Sequence, residues 1–337
     1  MKQEIRIIKD QIEKNYFKYF PEIANSIINV RVLKNRSLIK HHDSKARYQC
    51  IISVRTKDYD NFEKRIFAKK MPSDLAKKEA ENLKRLGNYS LDEMVPHFFD
   101  FIENDIILME YIYTSHELLV EILKTPSFVS KKRKNKTEDL IKKVALWLCE
   151  FQEKCYIDKT SLIEYIPMVE KELNTIPYFI AEQKENLLSR IKEESKKINK
   201  VPRVISSLGF CPRNILITNK NSFVLIDWPE LTETYIYQDL HHFLVNLQNR
   251  TRHKIIFSQK HINNFQKIFL ETYKTNSSFE FSEKAYQLTR KMYLIYFLYD
   301  FYQEYGNKIF TLKKFIFWQY NIKRITDELI HYAGENK

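Results

Sequence analysis

The sequence predicts an α+β chain with two lobes: a small N-terminal lobe of five antiparallel strands and one inserted helix, then a larger, mostly helical C-terminal lobe. Three observations carry this. Strand-like runs of apolar and β-branched residues cluster between Ile27 and Ile112. Helical spacing of apolar residues dominates after Tyr113. A single sharp hairpin interrupts that helical part, with Asn214-Ile215-Leu216-Ile217 and Val224-Leu225-Ile226-Asp227-Trp228 flanking a polar tip at residues 218–222. The lobe boundary falls between residues 109 and 110, so 110–337 carries the hairpin. A chain of 337 residues is long enough for two such lobes.

Taken in order, residues 2–20 read as a helix, because Ile5, Ile8, Ile12 and Phe17 recur near one face and Pro21 ends the run. Residues 28–32, 48–54 and 65–70 read as a strand meander joined by polar linkers. Pro72 closes the third strand. Asp74 to Leu86 is amphipathic, with Gly87 as its expected C-cap. Two further strands, 97–102 and 106–112, turn at Glu103-Asn104-Asp105. Helices are expected at 140–153, 181–200 and 292–305, the last crowded with Tyr, Phe and Leu that read as packed core. The basic run at 130–136 follows Pro126 and reads as an exposed loop.

Composition excludes several classes. The first fifteen residues are charged and lack the apolar segment of a signal peptide. No apolar run reaches the ~18 residues of a spanning helix. Four scattered cysteines, Cys50, Cys149, Cys155 and Cys211, show no metal or redox spacing and suit a reducing cytoplasm. The adjacent pairs His41-His42 and His241-His242 lack chelating spacing, so no zinc site is expected. The net charge of +13 reads first as solvated lysine-rich faces. No RNA-binding or helix-turn-helix pattern accompanies it, and nucleic acid is not an expected partner.

The hairpin carries the chemistry. It places an amide oxygen, Asn214, at its entrance and a carboxylate, Asp227, at its exit. Mg²⁺ takes a few hard oxygens and fills its remaining positions with phosphate and water, so this pair is a candidate metal site. Asp227 ends an apolar run, where an unpaired carboxylate would be costly. A structural reading stays open: Asp227 capping the next turn and Asn214 satisfying backbone groups.

The order of motifs resembles the aminoglycoside phosphotransferase and choline kinase family, within the protein-kinase-like fold, over about residues 28–245. Ala68-Lys69-Lys70-Met71-Pro72 is similar to the family's lysine strand, and Lys78-Glu79-Ala80 to its helix glutamate. Leu108-Met109-Glu110-Tyr111-Ile112 resembles the segment between the lobes, and Pro212-Arg213-Asn214 with Leu225-Ile226-Asp227 resembles the catalytic loop's second half and the metal-binding strand end. The resemblance implies ATP and Mg²⁺ as cofactors. It implies that Lys70 neutralises phosphates, that Glu79 holds it, and that the backbone at Glu110 and Ile112 reads the base. Of the two adjacent strand lysines, Lys70 is the choice because small Ala68 shares its face. Exposed strand lysines and a surface Glu79 are the alternatives. Asp239 would brace the catalytic loop, or simply begin a helix.

One departure bears on activity. The family loop reads His-Gly-Asp, four residues, then Asn; here Ser207-Leu208-Gly209 stands at the first three positions. Gly209 replaces the expected catalytic aspartate and has no group to accept or orient a hydroxyl proton. Glu230 and Cys211 are the possible stand-ins by sequence, each with a bland reading as a solvated acid and a buried filler. No glycine-rich phosphate loop can be written with four glycines in the chain. The expected function is therefore a kinase-like protein that binds Mg-nucleotide with a regulatory or binding role toward a protein partner. The alternative is a phosphotransferase acting on the hydroxyl of a small-molecule substrate (a sugar, aminoglycoside or choline-like alcohol) with a non-standard base.

Overall fold

The computed structural model describes residues 2–24, 26–34, 46–55, 61–91, 93–126, 128–252, 259–305 and 312–334. His41 and His42 lie outside these residues. The chain divides into two compact units, Met1–Leu118 with Arg213–Leu231, and Leu119–Pro212 with Thr232–Lys337. The 214–228 hairpin thus packs with the first unit, although the sequence placed it in the helical lobe.

In the first unit, numbered along the chain, strands β1 (Ile27–Lys34), β2 (Ala46–Arg55), β3 (Asn61–Lys70), β4 (Phe98–Ile102) and β5 (Ile106–Glu110) form an antiparallel sheet in the order β1-β2-β3-β5-β4. Successive residues of a strand point to opposite faces. One face (Val30, Tyr48, Cys50, Ile52, Val54, Ile66, Ala68, Leu108) packs on Ile8, Ile12 and Tyr19 of helix α1 (Lys2–Tyr19). Helix α2 (Ser73–Leu86) buries Ala76, Glu79, Ala80 and Leu83 on one stripe, packs against β4 and β5, and meets the opposite sheet face through Lys69. Gly87 follows α2 in right-handed conformation and starts a short 3₁₀ turn. The left-handed residue that ends this segment is Ser90, with φ 51°, so the expected glycine cap is displaced by three residues.

A second, three-stranded sheet in this unit pairs β6 (Thr114–Glu117) with the hairpin strands β9 (Ile215–Thr218) and β10 (Phe223–Leu225), in the order β10-β9-β6. The polar tip closes through the Thr218 and Ser222 hydroxyls, 2.8 Å apart, and Asn221 at φ 60°.

The second unit is helical with one small sheet. Its helices are α3 (Leu118–Leu123), α4 (Lys131–Lys154), α5 (Ile166–Thr175), α6 (Ala181–Lys196), α7 (Tyr237–Arg252), α8 (Gln259–Asn276), α9 (Glu283–Tyr305) and α10 (Leu312–Gly334). Strands β7 (Tyr156–Thr160), β8 (Val201–Ser206) and β11 (Thr232–Tyr235) form an antiparallel sheet in the order β11-β8-β7, which the sequence reading missed. The basic run is no loop. Ser130 caps α4, and Lys131 to Lys136 form its first turns. Cations there oppose the helix dipole; Arg133 is partly offset by the buried Glu121 at 2.7 Å. No helix among the described residues is long and apolar enough to cross a membrane.

Candidate active site

Lys69 sits next to the end of β3 with its side chain on the α2 face. Its ammonium donates to both carboxylate oxygens of Glu79, at 2.8 and 2.7 Å, and to Asp227 Oδ1 at 2.7 Å. Lys69 and Glu79 are 5 % and 1 % exposed, so neither could remain charged there without the other. Burial alone would lower the Lys69 pKa, but the charges of Glu79 and Asp227 outweigh it and the net displacement is upward. Lys69 is a fixed cation.

This corrects the sequence reading in one respect: the lysine that Glu79 holds is Lys69, not Lys70. Ala68 does share the face of Lys70, but that face is covered by α1. Lys70 therefore reaches Glu4 of α1, at 2.5 Å. Tyr48 donates to the same carboxylate at 2.5 Å. Lys70 first, then Tyr48, hold Glu4 down to about 2.

The exit of the hairpin is clamped to α2. Asn82 lies one turn beyond Glu79, on the same helix face, and donates to the Trp228 carbonyl at 2.9 Å. The buried Trp228 indole donates to the Leu225 carbonyl at 2.9 Å, and Leu225 N–H donates to the Met94 carbonyl at 3.0 Å. Asp227 between them has φ 71°, a left-handed backbone that aspartate tolerates better than most side chains. Such strain persists only where the surroundings impose it. Its side chain remains 28 % exposed, so a carboxylate fixed by Lys69 still meets solvent. Ile226 N–H donates to the Asn214 carbonyl at 2.9 Å, which ties the entrance of the hairpin to its exit. Asn214 is 8 % exposed. The tie sets the two residues at adjoining ends of the hairpin, and an amide and a carboxylate are the kinds of hard-oxygen donor that Mg²⁺ takes.

Glu110 is less suited to the part the resemblance implies. Its N–H donates to the His97 carbonyl at 2.8 Å, and its carboxylate accepts the His97 N–H at 3.2 Å. The donor that would read a base is thereby engaged, leaving the carbonyl. Ile112 lies half-buried in the stretch between β5 and β6.

In the second unit, the loop after β8 is held by Asp239 in the first turn of α7. Ser206 Oγ donates to Asp239 Oδ1 at 2.8 Å and accepts the Leu208 N–H at 3.2 Å. Burial pushes the Asp239 carboxyl up to about 7, against the pull of Ser206. Ser207 Oγ accepts the Gly209 N–H at 3.0 Å. Phe210 anchors the loop by stacking on Trp147 and lying tilted against Phe243, each at 5.5 Å. No described glycine has a positive φ, so position 209 does not require glycine for its backbone. Of the stand-ins, Cys211 is 5 % exposed and Glu230 lies on the surface.

No family model matches the chain, and no curated protein matches it by sequence. Solved structures do match. A putative aminoglycoside phosphotransferase from Ralstonia eutropha superposes with a TM-score of 0.61 at 8 % identity, covering 97 % of this chain and 98 % of that one. The ADP-bound aminoglycoside phosphotransferase APH(2'')-Ib gives 0.54 at 15 %, covering 95 % and 98 %. LicA, a choline kinase from Streptococcus pneumoniae, gives 0.52 at 17 % in its complex with AMP, covering 98 % and 99 %. The chain has the aminoglycoside phosphotransferase and choline kinase-like protein-kinase fold. The structure brings Lys69, Glu79 and Asp227 together by side-chain hydrogen bonds and ties the Asn214 carbonyl to the Ile226 N–H.

Proposed function

We propose that the chain is a Mg-nucleotide-binding, kinase-like protein of the cytoplasm that lacks the base for phosphoryl transfer and acts through a binding or regulatory role. The single observation that carries the reading is the Lys69–Glu79–Asp227 network, complete at 2.7–2.8 Å, in a chain that has Gly209 where the family resemblance implies aspartate. Lys69 would face the phosphates, with Glu79 keeping it in place. Asn214 and Asp227 would hold Mg²⁺, which when bound neutralises phosphate charge. Ile112 and the Glu110 carbonyl would face the base. Residues 1–109, with the 214–228 hairpin that packs in the same unit, would hold the nucleotide, and the rest of 110–337 would form the lobe for a partner or substrate. Support comes from the neighbours: structures of this fold carry AMP, ADP, or AMP-PNP with Ca²⁺.

A second reading is favoured by the loop itself. Asp239 and Ser206 still brace it, which an idle loop would not need. On that reading the chain is a phosphotransferase acting on a small-molecule hydroxyl, since positioning and metal electrostatics supply most of phosphoryl-transfer catalysis. One experiment separates the two. Melting is followed with ATP and Mg²⁺, and ATP turnover is measured, for wild type, Asp227→Ala and Gly209→Asp. The first reading expects MgATP to raise the melting temperature of wild type but not of Asp227→Ala, with no wild-type turnover. It expects Gly209→Asp to gain turnover of the order that a general base contributes, about 10²–10⁴-fold over the wild-type background. Wild-type turnover abolished by Asp227→Ala establishes the second reading. Absence of any MgATP effect on wild type overturns both.

A further inference from the structure

The network at Lys69 is unbalanced for a polyphosphate. One ammonium is held by two carboxylates, Glu79 and Asp227, so the group carries a net negative charge. A divalent cation at Asp227 offsets part of this. In protein kinases a glycine-rich loop also covers the phosphates. Here the four glycines are Gly87, Gly209, Gly306 and Gly334, none of them between β1 and β2. Another donor must meet the phosphates if they bind.

The sheet register supplies one. β2 and β3 pair Arg47 directly opposite Lys69. Directly opposed residues of an antiparallel pair project from the same face, with Cβ atoms about 4.5–5.5 Å apart. Arg47 therefore stands beside Lys69, on the α2 face and at the same end of the sheet. Its neighbour Tyr48 points the other way, into the α1 core, and bonds Glu4. Arg47 is half-buried, so its stem is held while its head can meet solvent.

Arg47 also belongs to a basic neighbourhood. Arg47 and Arg213 both act on the carboxyl of Glu117, at the end of β6. Burial raises the Glu117 pKa, and the opposing pull of Arg213 and then Arg47 offsets it only in part. Two guanidiniums lie within electrostatic reach of one carboxylate. Arginine also presents a planar fork of donors that matches phosphate oxygens.

We propose that Arg47 is a phosphate-binding residue, its guanidinium doing with a side chain what a glycine-rich loop does with backbone N–H groups. The inference rests on the Mg-nucleotide reading and deepens it. It accounts for a chain that keeps the lysine, the helix glutamate and the metal aspartate yet has no glycine beside them.

The test is calorimetric titration of wild type, Arg47→Gln and Arg47→Lys with MgATP, MgADP and adenosine, each variant first checked for a wild-type melting temperature without ligand. Removing a charged hydrogen-bonding partner weakens MgATP binding roughly ten- to a hundredfold. Arg47→Gln is expected to show this loss for MgATP, a similar or smaller one for MgADP, and none for adenosine. Arg47→Lys is expected to recover part of it, keeping the charge without the fork. Equal MgATP affinity in wild type and Arg47→Gln overturns the inference and leaves the nucleotide reading standing. So does a loss equal for MgATP and adenosine, which would mark Arg47 as structural. Wild type that binds no MgATP overturns the nucleotide reading itself, before any variant is compared.

Discussion

Glu79 on α2 of the first unit and Asp239 on α7 of the second are buried to the same depth, each 1 % exposed. Glu79 meets the ammonium of Lys69 on both oxygens. Asp239 meets the hydroxyl of Ser206, and its burial pushes it up to about 7. Depth alone therefore does not decide what a carboxylate does. Glu79 is half of an ion pair that fixes a cation on the sheet face. Asp239 works as a hydrogen-bonding post that holds Ser206, and through it the Leu208 N–H, whether or not it carries a full charge. The first unit fixes a cation by electrostatics; the second holds a hydrogen-bonded loop in which position 209 carries no acid.

The largest expected effect tests the first half of that contrast. Glu79→Ala leaves Lys69 buried against Asp227 alone. Breaking a buried pair by removing one partner costs about 3–5 kcal/mol, because the remaining charge is uncompensated. Chemical denaturation of the first unit's transition should show that loss, and Glu79→Gln, which keeps a hydrogen-bond acceptor, should show less of it. A cost under about 1 kcal/mol, the level of an exposed pair, would mean that Asp227 and solvent satisfy Lys69, and the contrast would fail.

The next effect tests the second half. A carboxyl raised in the folded state binds its proton more tightly there than in the unfolded chain, so its contribution is complete below the unfolded pKa and is lost as pH rises through the folded one. For Asp239 the window runs from 3.8 to about 7. Glu172, which burial raises to about 8 with Asp300 adding to it, acts in the same direction over a window reaching further up. The buried His241, lowered well below 6.5, acts oppositely as pH falls. The clean quantity is the difference between wild type and Asp239→Asn, in which the other groups cancel. It should shift against wild type by about 2 kcal/mol between pH 5 and pH 7, at about 1.36 kcal/mol for each tenfold in proton affinity. A pH-independent difference would show that Asp239 is charged throughout, and that the two buried acids are alike after all.

Much of this was legible in the residues, and the failures have physical causes. Period-two runs gave all five strands of the first sheet, and Pro72 with the Ala76/Ala80/Leu83 stripe gave α2. The hairpin was readable because Asn214 and Asp227 bracket apolar runs of matching length. What failed was partnership between distant elements. Strands β7, β8 and β11 lie far apart in sequence and are four to six residues long, too short to separate from helix ends by pattern. The run at Lys131 breaks the dipole preference of a helix start, so its helicity was hidden by its charge. The choice between Lys69 and Lys70 turned on which face α1 covers, and periodicity states only that the two differ.

That choice gives the smallest effect and the sharpest control. Lys70 and Glu4 form an ion pair whose side chains are 32 % and 18 % exposed. Partly exposed pairs contribute about 0–1 kcal/mol, so Lys70→Ala should lower stability by no more than that. The loss should fade as acid protonates Glu4: its pKa is held down to about 2, so the pair's contribution is present above the ordinary carboxylate pKa and disappears as pH falls through about 2. MgATP should protect Lys70→Ala from melting as well as it protects wild type, whereas Lys69→Ala should lose that protection entirely. Should Lys70→Ala be the variant that loses protection, nucleotide would have to reach the sheet from the α1 side, and α1 would have to leave Ile8 and Ile12 exposed to admit it. Those residues are 0 % exposed and lie at the centre of the first unit's core, so such a result would require the N-terminal helix to detach on binding. Hydrogen exchange in α1, with and without MgATP, would then report faster exchange with ligand; the structure instead calls for no change there and for slowing around Lys69 and Asp227.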